Sequence, residues 1–275
     1  QVLQSAKEQL APTMTQLVDL IAINELLGTV ESSGDGKNAN LVAQLETESL
    51  AAKAAEFKTT NNDDTIGWIR IPNTNVDYPV VYKAGVENYA YYESKGYDKQ
   101  YSKDGVIWAD YECTFPELSQ NTTLYGHNWH NIYTPRTQAN MQANDLMFSL
   151  VMSYHYTDFA QQNPFIYFST TEQDYVFQVF ASYYTDLNFG YNYAQMSQED
   201  FQKVIAEAKA KSLSNYNVPV TSEDKIVTLS TCTRVHGNTN NQRFVVMAKL
   251  VPVGTPSTTI STHSNPIAYN SSIDA

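Results

Sequence analysis

The stretch Ile226-Val227-Thr228-Leu229-Ser230-Thr231-Cys232-Thr233 carries a thiol at the end of an apolar, β-branched run. Eleven positions after that thiol, Arg243 opens a second run, Phe244-Val245-Val246-Met247-Ala248. Short runs of this composition read as strands, with Val235 to Gln242 as the connecting loop. Two adjacent strands bring Cys232 and Arg243 within reach of each other. A cysteine buried in a strand is usually an inert small hydrophobe, but one at a strand end beside a polar loop and a guanidinium suits nucleophilic attack on a carbonyl. Such a site still needs a base.

The sequence on either side of this stretch predicts a mainly β body. Ile66-Gly67-Trp68-Ile69-Arg70-Ile71-Pro72, Val76-Asp77-Tyr78-Pro79-Val80-Val81 and Gly105-Val106-Ile107-Trp108-Ala109 are short β-branched and aromatic runs punctuated by Pro, Gly and Asn. That is the pattern of an antiparallel sandwich or barrel. Further strands are expected at Thr122 to Tyr125, Phe165 to Ser169 and Tyr175 to Tyr184, and helices at Ala143 to Tyr154 and Ser197 to Lys211. Ser197 is the expected N-cap of the latter, with Glu199 and Asp200 in its first turn. Ahead of the body, apolar residues recur at helical spacing from Val2 to Leu27 and again from Asn40 to Phe57, around the loop Ser32-Ser33-Gly34-Asp35-Gly36. The predicted domains are therefore a helical hairpin packed on the body over residues 1–60, a catalytic body over 61–251, and a polar tail over 252–275. The tail is rich in Ser, Thr, Pro and Asn, as in a disordered segment or an extended arm.

The 17 Lys and Arg against 29 Asp and Glu give a net charge of -12, which disfavours binding to a phosphate backbone and argues against a nucleic-acid partner. The 20 tyrosines, with abundant Asn, Gln and Thr and arginine only at positions 70, 136, 234 and 243, resemble secreted or surface proteins in composition. Cys113 and Cys232 are the 2 cysteines, so one bridge is the most the chain can form, and both are expected to be free thiols. The chain contains no run of about 18 apolar residues that would span a membrane. It begins at Gln1 without methionine, signal peptide or anchor, the reading of a trimmed chain whose upstream anchor has been removed.

Five histidines compete for the role of base: His127, His130, His155, His236 and His263. His127 follows the apolar run Leu124-Tyr125 and Gly126 and opens a polar loop, the placement of a side chain presented at a sheet edge. His236 lies four residues past Cys232 and is the rival; His263 falls in the tail. His127 and His130, at spacing three with no acidic cluster nearby, do not make a metal site, and no cofactor is expected.

Taken together, Thr228-Leu229-Ser230-Thr231-Cys232, the downstream Arg243 and Tyr125-Gly126-His127-Asn128, with the histidine 105 residues upstream of the cysteine, resemble the sortase family of cysteine transpeptidases. The runs Gly67 to Pro72, Asp77 to Val81, Gly105 to Tyr111 and Pro164 to Tyr167 are similar to class B sortases, so the resemblance covers about Ile66 to Leu250. It implies a closed β-barrel with an N-terminal helical hairpin and peripheral helices. It also implies that Cys232 attacks the carbonyl of a threonine in a sorting-motif peptide, that His127 protonates the departing amine, and that an amine resolves the thioester. Arg243, permanently charged and with several N–H donors in a fixed fork, is the implied oxyanion partner. Asn88, Tyr92 and Ser230 are the implied peptide-contacting residues. The implied acceptor is a cell-wall peptide or a pilin lysine, and the implied location is the extracellular face of the membrane, with the full-length protein anchored there. Arg234 stands where class B relatives often carry an acidic residue, and strand alternation puts it on the Cys232 face as a candidate groove residue. Two rival readings stand beside this one: a cysteine protease in which water resolves the acyl-enzyme, and a non-catalytic surface or pilus-associated binding module on the same barrel.

Overall fold

A computed structural model describes residues 41–273 of the chain. Helix α1 (Leu50–Thr60) begins where the Ser49 hydroxyl accepts from the Ala52 amide, and it buries Leu50, Ala51 and Ala54 against the barrel. Its start falls well after Asn40, where the helical periodicity begins. The preceding segment is held extended by pairing with the C-terminal region: Val42 bridges Pro256, and the amides of Ala43 and Gly254 donate to the carbonyls of Thr255 and Ala43. Main-chain pairing with a distant segment outweighs a weak helical preference. The first helix of the expected hairpin lies outside the described residues.

The barrel strands are β1 (Thr65–Arg70), β2 (Asp77–Val81), β3 (Ile107–Ala109), β4 (Asn121–Tyr125), β5 (Phe165–Thr170) and β6 (Asp174–Asp186). After the short helix α2 (Thr157–Gln162), which precedes β5, and helix α3 (Gln198–Lys211), which follows β6, come β7 (Ser214–Tyr216), β8 (Ile226–Cys232) and β9 (Gln242–Val251). Eight strands close in the order β1-β2-β3-β4-β8-β9-β6-β5, and β7 pairs separately with β10 (Ile260–Thr262). Strand β1 alternates between buried and half-buried positions, as a strand with one wet face does, whereas β6 and β8 are almost continuously buried because α3 and the 3₁₀ segment Ser149–His155 cover their outer faces. The polar residues inside β8 are satisfied locally: Thr228 donates to the Asn121 side chain at 2.7 Å and Thr231 to the Gly126 carbonyl at 2.7 Å. At Gly67 strand β1 lies close against β5, and a Cβ there would lie 2.0 Å from the Ser169 carbonyl oxygen.

Helix α3 has the predicted N-cap, with Ser197 Oγ accepting from the Asp200 amide at 3.1 Å. The helix expected over Ala143–Tyr154 is instead a turn followed by 3₁₀ structure. Met147 takes a positive φ of 53°, and the buried Asp145 carboxylate closes the turn by accepting from the Gln142 amide and from Arg136. The segment from Pro252 onward is the extended arm, as far as residue 273. Strand β10 ties it to β7, and the amine of Lys211 donates to the carbonyls of Ala268, Tyr269 and Ser271. The described residues group as one compact unit, so α1 and the arm belong with the barrel.

Candidate active site

Strand β8 runs between β4, to which it is parallel, and β9, to which it is antiparallel. The antiparallel register pairs Cys232 directly with Arg243. On the other side, Tyr125 pairs with Ser230, and the ladder runs on through the Gly126 amide to the Ser230 carbonyl at 3.4 Å. Two residues beyond that pair, His127 therefore emerges beside Cys232, and the Asn128 side chain donates to the Cys232 carbonyl at 3.3 Å. Cys232, Arg243 and the distant His127 come to the C-terminal end of one strand. They line a single cleft of about 410 Å³, together with Trp108, Tyr125, Tyr191, Ser230 and Thr231.

Cys232 is half-buried at the cleft, whereas Cys113 is 1 % exposed. Both are free thiols. Burial pushes the Cys113 thiol up to about 12, so it stays protonated and packs as a small hydrophobe. Arg243 Nη1 donates to the carbonyls of Asn240 at 3.0 Å and Gln242 at 2.9 Å, which fixes the guanidinium plane. Its remaining N–H groups make no hydrogen bond among the described residues. His127 Nε2 lies 2.6 Å from the Glu93 carbonyl oxygen, and its ring stacks on Trp129 with centroids 5.0 Å apart.

The rival histidines point elsewhere. His236 stacks on Tyr269 of the C-terminal arm at 4.5 Å and meets Tyr184 edge-on at 4.8 Å, away from the cleft lining, and burial lowers its pKa. His155 Nδ1 is 2.9 Å from the Tyr184 hydroxyl. His130 is exposed, and His263 Nδ1 lies 2.7 Å from the Ser212 carbonyl oxygen.

Of the expected peptide contacts, Ser230 lines the cleft, where its hydroxyl is 2.8 Å from that of Tyr191. Tyr92 does not reach the cleft. It is 1 % exposed beneath it, and its hydroxyl donates to Asp64 at 2.6 Å, so it is an anchor and not a contact residue. Asn88 is also absent from the lining, since its amide donates to the Ala84 carbonyl at 2.7 Å; its neighbours Tyr89 and Ala90 form that part of the wall. Arg234 is not a groove residue either. Strand β8 ends at Cys232, so the alternation that would aim it inward is lost, and its guanidinium bonds the Asn240 side chain at 2.7 Å.

Sequence reasoning missed the wall formed by Leu187, Phe189, Tyr191 and Asn192 between β6 and α3. The Asn121 amide holds this loop through the Tyr191 carbonyl at 2.8 Å, and Asn192 donates to the Tyr125 hydroxyl at 2.9 Å, which in turn donates to the buried Asp110 at 2.7 Å. The aromatic run Phe189-Gly190-Tyr191-Asn192-Tyr193 was the available signal.

Comparison with known proteins identifies the family. Residues 69–251 match the sortase domain. The chain belongs to the sortase family. It is 31 % identical over 193 residues to sortase B of Staphylococcus aureus, covering 70 % of this chain and 72 % of the relative. Sortase B of Listeria monocytogenes is 29 % identical over 191 residues, covering 69 % of this chain and 71 % of that one. Among solved structures, a Staphylococcus aureus sortase B–substrate complex superposes with a TM-score of 0.61 at 28 % identity, covering 75 % of this chain and 88 % of that one. Clostridium perfringens sortase B gives 0.59 at 26 % identity, covering 72 % and 98 %. This sortase is thus class B-like and a cysteine transpeptidase, and its homologues are cell-surface enzymes of Gram-positive bacteria. The non-catalytic reading gives way to that assignment.

Proposed function

We propose that Cys232, His127 and Arg243 carry the transpeptidation, and that the substrate is a sorting-motif peptide cleaved after threonine. The Cys232 thiolate adds to the threonine carbonyl carbon. The carbonyl π electrons move to oxygen, where Arg243 N–H groups stabilise the oxyanion. As the tetrahedral intermediate collapses, the amide C–N bond breaks and His127 gives its proton to the departing amine, leaving a thioester on Cys232. An incoming amine adds to the thioester and yields its proton to His127. The Cys232 thiolate is then expelled and a new amide is formed.

The observation that carries this reading is the direct pairing of Cys232 with Arg243, with His127 beside them in the same cleft. Structures of sortase B with substrate and with triglycine support a peptide donor and an amine acceptor. A cell-wall peptide or a pilin lysine is the acceptor class proposed for this chain. The proposed location is the extracellular face of the membrane, with the full-length protein anchored there; among the described residues no helix is long and apolar enough to cross a membrane.

Incubation with peptides built on Asn-Pro-x-Thr and Leu-Pro-x-Thr cores, with and without triglycine, followed by mass spectrometry of the intact protein, tests the reading. A thioester adduct on Cys232 that triglycine discharges is expected, and Cys232→Ala is expected to abolish it. Undiminished cleavage by Cys232→Ala overturns the nucleophile. Loss of activity in His236→Ala with full activity in His127→Ala overturns the base.

A further inference from the structure

The imidazole of His127 is enclosed along one edge by the connection between β2 and β3. The Glu93 carbonyl oxygen stands 2.6 Å from Nε2. A carbonyl can only accept, so Nε2 carries the hydrogen. The adjoining Cδ2 corner abuts Gly105. A Cβ at that position would lie 2.9 Å from Cδ2, 3.3 Å from Nε2 and 3.1 Å from the same Glu93 oxygen. The ring stacks on Trp129 at 5.0 Å between centroids and meets Trp108 at a tilt at 5.7 Å, and Trp129 is itself held by donating to the Lys103 carbonyl at 3.0 Å.

The carbonyl is also held in place. The Glu93 amide donates to the Ala90 carbonyl, the Ser102 amide to the Ser94 carbonyl at 3.0 Å, and the Gly105 amide to the Ser102 carbonyl at 3.3 Å. The adjacent Tyr92 is buried and pinned by its hydroxyl to Asp64 and Asn62.

We propose that Gly105 is a positioning residue for the acid/base: its missing side chain lets the Glu93 carbonyl hold His127 as the Nε2–H tautomer, which leaves Nδ1 to exchange the proton with the departing and attacking amines. The proposal rests on His127 being that acid/base. It is distinct from the ordinary role of a turn glycine. Gly105 does have φ of 61°, but asparagine accepts that backbone too, whereas any side chain brings a Cβ against His127 and Glu93.

Two measurements test it. Long-range ¹H–¹⁵N correlation spectra of the ¹⁵N-histidine-labelled protein, at a pH where the ring is neutral, are expected to show His127 protonated at Nε2. An Nδ1–H tautomer overturns the proposal whatever the activity, so this arm is independent of substrate choice. In peptide cleavage, Gly105→Ala and Gly105→Asn are both expected to lower kcat by about 100-fold with KM little changed, the effect of a misplaced reacting group, and to shift the pH profile. Full kcat in either variant, or recovery in Gly105→Asn alone, overturns it. Should either variant fail to fold, as read by its thermal melt, the wild-type tautomer decides alone.

Discussion

The two walls of the cleft are built by different means. The wall carrying Cys232 and Arg243 is sheet: main-chain pairing over seven consecutive residue pairs from Ile226↔Lys249 to Cys232↔Arg243 sets where each side chain emerges. The wall carrying Trp108, Glu93 and Tyr191 is mostly loop. Its positions depend on side-chain anchors such as Tyr92 to Asp64, Asn121 to the Tyr191 carbonyl, and Tyr125 to Asp110. His127 belongs to both, since β4 carries it to the cleft and the loop wall holds its ring. A ladder distributes its hold over many bonds, so substitutions on the sheet wall should change chemistry and leave geometry intact. A loop anchored by a few side chains should lose position when one anchor is removed.

Arg243→Lys breaks this comparison most severely if it is wrong. The charge survives but the fork does not, so kcat is expected to fall by about 100-fold with little change in melting temperature. A large drop in Tm would show that Arg243 holds the sheet wall rather than serving the reaction.

Tyr92→Phe tests the loop wall. Removing the hydroxyl takes a buried hydrogen bond from Asp64 and is expected to cost about 1–2 kcal/mol by urea titration, with a several-fold loss of kcat through the displaced Glu93. Burial pushes the Asp64 carboxyl up, but hydrogen bonds from Tyr92, Lys83 and Lys99 outweigh it, so its pKa lies below the usual value of 3.8. A depressed carboxylate contributes stability above its unfolded pKa and loses that stability as pH falls below it towards the folded value. Tyr92→Phe raises the folded pKa, so its deficit relative to wild type should be fully present near neutrality and shrink below about pH 4. A deficit that grows on acidification would refute this anchor.

The smallest effect is expected at the second thiol, outside both walls. Cys113→Ala should leave kcat unchanged and cost about 1 kcal/mol, the scale of a small buried truncation. Iodoacetamide treatment of the native protein near neutral pH should label Cys232 alone, because the Cys113 thiol titrates only near 12. Rapid labelling of Cys113 would show that the barrel opens there.

Most of the strands were legible in the sequence, because β-branched and aromatic runs between Pro, Gly and Asn mark them without any knowledge of neighbours. Strands β1 to β6, β8 and β9 all fall where their composition places them. Helix α3 was equally legible, since Ser197, Glu199 and Asp200 are local start signals. The failures have a common cause. The helical spacing ahead of Leu50 and over Ala143–Tyr154 lost to contacts invisible in a local window: pairing of Val42 and Ala43 with Thr255 and Pro256 in the first case, the Arg136–Asp145 ion pair and a positive φ at Met147 in the second. Strands β7 and β10, three residues each, carry too little pattern to read and exist because they pair with each other.

The candidate site divides in the same way. Cys232, Arg243 and His127 share one cleft because each stands at the end of a strand-like run, where a barrel brings side chains of neighbouring strands together. Tyr92, Asn88 and Arg234 were not assignable. Whether a loop tyrosine faces a cleft or the core, and whether alternation continues past residue 232, depends on where the chain turns and what it meets there. By itself, then, the sequence determined the strands, the reactive residue types and their family pattern, because these follow from local composition and spacing. Only the tertiary structure decided which residues wall the cleft, which histidine stands beside the thiol and which nitrogen of that ring is held, because those depend on packing between segments that the chain order keeps apart.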